Sequence, residues 1–196
     1  MSTRPRLGDA ANDRTTKEEY AMFRRALLVT SIVSAVAIPV GFANADVGAT
    51  ARPAFKMPFS YGKTFYANNW QGHKPKNSID WQSYGKDAVD KEPVKSAASG
   101  TVTTVRDLGN DSYGKYVVVS HGRGWQTLYA HLSAFSVKVN QKVSTGTQLG
   151  KVGSTGGSQA PHLHFEEKLN GSVQTPVISG TTVGYGSKKA LTSKKG

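Results

Sequence analysis

Histidine dominates the side chains of this sequence that could perform chemistry. His162 and His164 stand two residues apart in the segment PHLHFE. On a β-strand both rings would lie on one face, whereas Leu163 and Phe165 would point into a core. Two imidazoles about 6–7 Å apart can serve one metal centre, either as two ligands or as one ligand and one neighbouring group. The alternative is a pair of surface or hydrogen-bonded structural histidines.

A second candidate pair, His73 and Asp80, lies upstream in the segment GHKPKNSIDW. Ile79 and Trp81 flank Asp80, so strand alternation turns the carboxylate away from the side of these apolar residues. A carboxylate in this position could bind a metal ion or could cap a turn. The segment alone does not decide between the two roles.

Two further histidines stand by themselves. His131, in the segment TLYAHLS, ends a predicted strand, where an imidazole base could overhang a cleft. A buried structural histidine is the alternative for this position. His121 opens a turn in the segment VSHG, and we expect a structural role for it.

Together these residues predict a metal-dependent hydrolytic site. The sequence contains no cysteine, which excludes disulfides, thiolate zinc sites, Fe–S clusters and a cysteine nucleophile. Two histidines and one aspartate form a donor set that suits Zn²⁺ with one position open for water. The other two histidines of the group could orient or deprotonate that water. The spacing does not tell which histidines bind the metal and which act on the water.

Short β-strands must position these residues. Glycine, with 21 of 196 residues, exceeds its usual share of ~7%, and no segment of the central region sustains a helical period. The sequence therefore predicts a mainly β domain over residues 57–178, an antiparallel β-sandwich or open barrel. A linker over 46–56 precedes it, and a flexible basic tail over 179–196 follows it. Five segments alternate apolar and polar residues as strands do: 102–105, 116–120, 126–132, 148–152 and 162–169.

The first 45 residues have the order of an export signal. A polar segment ends in two arginines at 24 and 25, an apolar run follows over 26–42, and small residues follow over 43–45. The apolar run is shorter than the ~20 residues that a spanning helix needs. We therefore predict cleavage after Ala45, with Met22 as an alternative start of the chain. An uncleaved anchor is the other interpretation, and in either case we expect the bulk of the chain outside the cytoplasm.

The charge predicts a polyanionic partner. The chain has 25 basic and 13 acidic residues, a net charge of +12. Removing residues 1–45 takes away six basic and four acidic residues, so the rest keeps a net charge of +10. A nucleic acid is disfavoured, because its binding needs aromatic residues interleaved with basic ones on one face and because the export signal argues against it. We expect a monomer that does not insert stably into a membrane after signal removal.

Four further segments stand out as motifs: GSTGGSQAPHLHFE over residues 153–166, YAHLS over 129–133, VKSAASGTV over 94–102 and GTQLGKVG over 146–153. Together they resemble the lysostaphin/LytM-type zinc endopeptidases, which cut peptidoglycan peptides. The first segment is the most specific, because it is similar to the family signature almost letter for letter. The resemblance implies the family's duplicated hybrid motif, a barrel-sandwich fold with long loops around a groove. It also implies bacterial peptidoglycan and anionic wall polymers as partners.

The first ligand pair departs from the commonest family pattern. Many members carry it as H-x-G-x-D, whereas this chain has KNSID over residues 76–80. A subset of the family has a longer loop, which GHKPKNSIDW resembles, and in that version His73 is the first ligand. The resemblance then implies that His73, Asp80 and His164 hold Zn²⁺. It implies that His131 acts as general base or, with His162, stabilises the developing oxyanion.

The function implied by the resemblance is that of an exported zinc metalloendopeptidase of peptidoglycan cross-links or stem peptides. The alternative is a catalytically inactive relative that binds the wall or activates another hydrolase. Such relatives typically lose metal ligands, so the two interpretations differ in whether His73 reaches Asp80 and His164.

Overall fold

The computed structural model describes residues 51–195, and every regular element in that range is a β-strand. No helix in this part of the chain is long and apolar enough to cross a membrane. The strands are β1 (Thr64–Asn69), β2 (Ile79–Gln82), β3 (Pro93–Lys95), β4 (Gly100–Asp107), β5 (Lys115–Gly122), β6 (Trp125–Ala130), β7 (Leu132–Phe135), β8 (Lys142–Val143), β9 (Gln148–Val152), β10 (Leu163–Leu169), β11 (Ser172–Gln174), β12 (Val177–Ile178), β13 (Thr181–Thr182) and β14 (Ser187–Thr192).

The main sheet contains nine strands. Its order is β14-β1-β2-β10-β6-β5-β4-β8, with β11 paired to β10 outside this path. A second sheet has the order β3-β9-β7, and β12 and β13 form a two-stranded ladder. Neighbouring strands pair antiparallel throughout the described residues. The predicted mainly β, antiparallel architecture is therefore confirmed.

A single apolar core joins the main sheet to the three-stranded sheet. Trp81, Tyr129 and Phe165 of the main sheet are fully buried in one cluster with Val94 and Leu149 of the smaller sheet. Burial of one large apolar side chain contributes about 1.5–3 kcal/mol. Because side chains alternate along a strand, the residues next to these apolar ones point to the opposite face of the main sheet. That face carries the candidate site.

The five segments predicted as strands lie in β4, β5, β6 with β7, β9 and β10. One of them differs in detail, because the predicted segment 126–132 is divided at His131. The backbone of His131 has φ 60°, in the left-handed region, which interrupts the strand between β6 and β7. His162 likewise stands one residue before β10 begins.

The prediction of a flexible tail over 179–196 is wrong for residues 187–192. This segment forms β14, the edge strand of the main sheet, and it pairs along its whole length with β1. Leu191 is half-buried and packs against the core, whereas Lys188 and Lys189 are exposed. Lysine-rich edge strands are common because charge discourages further pairing, and their composition looks like that of a tail.

The packed region also begins earlier than predicted. Residues 51–56 contain no regular element, as expected of a linker, but Phe55 belongs to the core with only 1% of its surface exposed. The backbone N–H of Lys56 donates to the carbonyl of Ala97 at 2.8 Å. The predicted export signal over 1–45 and the first residues of the linker lie outside the described residues.

Candidate active site

The five predicted site residues meet on one face of the main sheet. Asp80 on β2 and His164 on β10 stand directly opposite each other in the antiparallel register. His73 comes from the loop between β1 and β2, His131 from the junction of β6 and β7, and His162 from the residue that precedes β10. Four separate parts of the chain therefore converge on one position.

The loop between β1 and β2 holds His73 against Asp80. The Nε2 atom of His73 lies 3.0 Å from Oδ2 of Asp80. Its Nδ1 atom lies 3.3 Å from both the carbonyl oxygen and the Oγ atom of Ser78. The Ser78 hydroxyl donates its own proton to the carbonyl of Pro75 at 2.6 Å, so both oxygens of Ser78 act as acceptors. Nδ1 of His73 therefore carries a proton, and Trp70 packs beside the ring at 5.6 Å between centroids.

His164 lies between two carboxylates. Its Nδ1 atom is 3.0 Å from Oδ1 of Asp80, and its Nε2 atom is 3.0 Å from Oε1 of Glu166. Glu166 is fully buried, accepts a hydrogen bond from the Tyr113 hydroxyl at 2.6 Å and pairs with the Lys168 ammonium at 2.7 Å. A carboxylate behind an imidazole is the usual arrangement around metal-binding histidines, because it fixes the tautomer and makes the ligand more basic.

These contacts keep both carboxylates ionised. Burial alone would raise the pKa of Asp80, but hydrogen bonds with His164 and His73 hold this pKa well below its usual range. Burial would also raise the pKa of Glu166, but its hydrogen bonds with His164, Lys168 and Tyr113 lower the pKa to about 2. Burial acts to lower the pKa of His164, and the two carboxylates beside the ring raise it. The site therefore favours positive charge at the position between these groups.

His73, Asp80 and His164 fit a divalent cation. One candidate ligand atom from each residue lies within 4.8 Å of the other two. The ring nitrogens that point away from Asp80 already donate to Ser78 and Glu166. Each ring nitrogen that faces Asp80 at 3.0 Å therefore either donates a proton to the carboxylate or, in the neutral ring, offers a lone pair to a cation that takes the place of that proton. Two imidazoles and one carboxylate are a donor set that Zn²⁺ favours.

His131 and His162 form a second pair beside this triad, with 4.7 Å between ring centroids. Nδ1 of His131 donates to the carbonyl of Thr155 at 2.7 Å, and Nδ1 of His162 donates to the carbonyl of Ala160 at 2.8 Å. A neutral imidazole whose Nδ1 donates keeps its Nε2 lone pair free to accept a proton. Nε2 of His162 lies 3.6 Å from Oδ1 of Asp80, so this pair directly adjoins the triad.

Burial lowers the pKa of His131 to about 4, and the neighbouring His162 also acts in this direction. The ring is therefore neutral at pH 7, the form that a general base requires. Its position depends on the left-handed backbone at residue 131, which turns the side chain away from the strand direction.

A cleft of about 540 Å³ opens onto all five residues. Its walls also include Trp70, Lys74, Gln82 and residues 157–160. The glycine-rich loop before His162 packs closely on a neighbouring turn, where a Cβ atom on Gly156 would lie 2.3 Å from the backbone nitrogen of Gly114. An extended chain could lie along such an open cleft.

Several supporting residues were not identified as functional from the sequence. Glu166 stands two residues after His164, so strand alternation could have placed it on the same face. Tyr113, Thr155 and Ser78 support the site from loops and turns; Thr155 and Ser78 lie in segments that resemble the family, but the resemblance gave neither of them a role.

His121 does not join the cluster. Its Nδ1 atom contacts the carbonyl of Ser99 at 2.9 Å, and its Nε2 atom contacts the hydroxyl of Thr127 at 2.8 Å. The ring packs against Phe55 with 5.1 Å between centroids. These contacts agree with the structural role expected for this histidine.

Comparison with known proteins identifies the family. Residues 77–176 match the model of peptidase family M23. The chain is 39% identical over 120 residues to the DD-carboxypeptidase/endopeptidase Mpg of Neisseria meningitidis, covering 61% of this chain and 25% of that protein. It is 32% identical over 105 residues to the murein hydrolase activator EnvC of Escherichia coli, covering 54% of this chain and 25% of that protein.

The fold also matches solved structures. A zinc-containing peptidase from Vibrio cholerae superimposes with a TM-score of 0.50 and 28% identity, covering 62% of this chain and 39% of that chain. The chain spans about a quarter of the length of the two curated relatives. Among the five site residues, His73 precedes the segment that matches the family model, and the other four lie within it.

Proposed function

The chain belongs to peptidase family M23, and we propose that it is a zinc endopeptidase that hydrolyses peptide cross-links or stem peptides of bacterial peptidoglycan. The observation that carries the proposal is the position of two imidazoles that donate from Nδ1 to backbone carbonyls, those of His131 and His162, beside a cation-binding triad in one open cleft. The names of the two similar proteins, a DD-carboxypeptidase/endopeptidase and a murein hydrolase activator, support a peptidoglycan substrate.

We assign His73, Asp80 and His164 as the metal ligands. A zinc ion bound there would supply Lewis acidity, which polarises a carbonyl group and lowers the pKa of a water molecule. Ser78 and Glu166 accept from the ring nitrogens that point away from Asp80, so the nitrogens that face Asp80 are the ones that would bind the metal. The ligand atoms are therefore oriented in advance of metal binding.

We assign the proton transfers to His131 and His162. The oxygen of a water molecule adds to the carbonyl carbon while Nε2 of His131 accepts the water's proton. The C–N bond then breaks, and the same proton passes to the leaving amine nitrogen. His162 stands beside His131, and in its protonated form it would donate from Nε2 to the developing oxyanion.

The proposal places the protein outside the cytoplasm. The order of residues over 1–45 supports export, and the net charge of +10 on the remaining chain favours attraction to anionic wall polymers. A substrate that is a polymer network outside the membrane requires such a location.

Digestion of purified peptidoglycan tests the proposal. The zinc-loaded protein is incubated with sacculi of several cross-link types, with and without a chelator, and mass spectrometry identifies the released peptides. We expect new peptide termini that disappear with the chelator and return with added zinc. His73→Ala and Asp80→Ala should lose both bound zinc and activity. Zinc bound at full stoichiometry by both variants would reject the ligand assignment.

The alternative function, an inactive relative that activates another hydrolase, is supported by the similarity to EnvC, which is named as a murein hydrolase activator. Against it stands the presence of all five groups in one cluster. A chain that binds sacculi and stimulates an added amidase or lytic enzyme, yet releases no peptide by itself in the presence of zinc, would favour the alternative.

A further inference from the structure

The face of the main sheet that carries the metal-binding residues continues beyond them toward the sheet edge. The cross-strand register aligns His164 with Asp80, Asp80 with Asn68, and Asn68 with Lys188. A neighbouring row aligns Gln82 with Tyr66. Directly paired residues lie on the same face of a sheet, so these side chains form one surface that begins at the triad and ends at β14.

Lys188 provides an unpaired cation on this surface. Its ammonium lies 3.3 Å from the ring centroid of Tyr84 and 5.2 Å from that of Tyr66. The two rings pack edge to face, 5.2 Å apart. No carboxylate pairs with Lys188 among residues 51–195. The two tyrosines therefore hold an exposed ammonium group in place without neutralising it.

Gln82 links this cation to the cleft. Its Oε1 atom accepts hydrogen bonds from the Asn68 amide at 3.1 Å and from the Tyr84 hydroxyl. These two hydrogen bonds fix the orientation of the Gln82 amide group. Its Nε2 atom has no protein partner among residues 51–195. Gln82 also lines the cleft beside Asp80, so a free N–H donor and a nearby cation lie on the same side of the triad.

From this arrangement we propose that Lys188, with Gln82, Tyr66 and Tyr84, forms a subsite that binds a free carboxylate of the peptide substrate. The inference rests on the proposed function, because it concerns a peptide lying in the same cleft. Two strand spacings separate Lys188 from Asp80, or roughly 10 Å. An extended peptide covers this distance in about three residues, and a long side chain covers it in fewer.

Two of the four subsite residues lie outside the segment that matches the family model. Lys188 belongs to β14 and Tyr66 to β1, whereas the family model covers residues 77–176. The edge strand β14, whose composition is typical of a flexible tail, would therefore help to determine which peptides the cleft prefers. Lys74 on the rim of the cleft adds further positive charge near the same approach.

Matched peptides test the subsite. The soluble substrates are peptide pairs that differ in one group, a free carboxylate or its primary amide, placed in turn at each of four residues on either side of the scissile bond. The zinc-loaded wild type should prefer the carboxylate at one or two positions, by about two- to fivefold in kcat/KM and mainly through KM, as expected for an exposed charge pair. Lys188→Met should cut both members of those pairs equally well.

Lys189→Met is the matched control, because Lys189 neighbours Lys188 but donates to the carbonyl of Thr182 at 2.7 Å instead. This variant should retain the wild-type preference. A wild type that cuts carboxylate and amide peptides equally at every position would overturn the subsite while leaving the endopeptidase intact. Retention of the preference in Lys188→Met would also overturn it.

A binding measurement separates the subsite from the proposed function. If the zinc-loaded wild type cuts no peptide, the endopeptidase proposal fails, and calorimetric affinities for the same peptide pairs then decide the subsite. Tighter binding of the carboxylate member by the wild type but not by Lys188→Met supports it. Equal affinities of the two members for the wild type reject it.

Discussion

Replacing Glu166 by glutamine should weaken zinc binding without unfolding the protein. The carboxylate accepts the Nε2–H of His164 at 3.0 Å and the Tyr113 hydroxyl at 2.6 Å, and it is fully buried. Glutamine keeps the size of the side chain and can still accept from His164. It removes the negative charge that makes the opposite ring nitrogen of His164 a better metal ligand.

The expected magnitude follows from this single lost charge. Groups that hydrogen-bond to a metal-binding histidine typically contribute 10- to 100-fold to metal affinity, or about 1.4–2.7 kcal/mol. The full burial of Glu166 and its pairing with Lys168 at 2.7 Å favour the upper half of this range. The metal-free variant should lose some stability as well, because the Lys168 ammonium then lacks its partner.

Competition with a chromogenic chelator measures the zinc affinity, and thermal unfolding of the metal-free protein measures the stability separately. Glu167→Gln is the matched control, since Glu167 is also buried on β10 but contacts Arg52 and the Val177 N–H rather than His164. Its zinc affinity should equal that of the wild type. A change of less than twofold in the zinc affinity of a folded Glu166→Gln variant would refute the role given to this carboxylate.

Three further predictions concern the catalytic pair, the loop of His73 and the pH dependence of stability. His131→Ala should bind zinc with unchanged affinity but turn over peptide about 10²-fold or more slowly, and an unchanged rate would remove His131 from the mechanism. Tyr185→Phe should weaken zinc binding about fivefold, because the Tyr185 hydroxyl accepts the Gly72 N–H at 2.7 Å and so stabilises the loop that presents His73. Competition with a chelator measures the zinc affinity of this variant. An affinity equal to that of the wild type would contradict the prediction. Burial raises the pKa of Glu167 from 4.5 to about 8, despite the opposing effects of the Arg52 guanidinium and the Val177 N–H. The folded protein therefore binds a proton that the unfolded chain releases, and this group lowers the stability as pH rises from about 4.5 to 8. Urea unfolding at pH 5 and pH 8 should show a smaller decline for Glu167→Gln than for the wild type, and an equal decline would contradict the raised pKa.

Local patterns were sufficient to predict the strands and the inward side chains next to the site. Alternation over 162–169 placed Leu163 and Phe165 in the core, and both are fully buried. The same alternation turned Asp80 away from Ile79 and Trp81. Such predictions succeed because the period of a strand fixes which side chains share a face, whatever strand lies beside it.

Composition misled the prediction at the end of the chain. Lysine, serine and threonine over 187–192 carry little apolar signal, and only Leu191 reaches toward the core. The strand exists because β1 offers a free edge with hydrogen-bonding groups, and no pattern within 187–192 shows that this edge is available. For the same reason, the position of Lys188 in the same cross-strand row as Asp80 could not be predicted from the sequence.

The residue types of the site, its lack of thiolate ligands and the faces on which its strand residues lie could be predicted from the amino-acid sequence, because they depend on composition and on the two-residue period of a strand. The three-dimensional arrangement was needed to show that His73 lies against Asp80, which acceptor each ring nitrogen faces, and which buried carboxylate supports His164. These properties depend on acceptors such as Ser78, Thr155 and Glu166, which strand pairing and loop packing bring to the rings. The chemistry of an imidazole is set by such neighbours in space, and sequence spacing does not encode them.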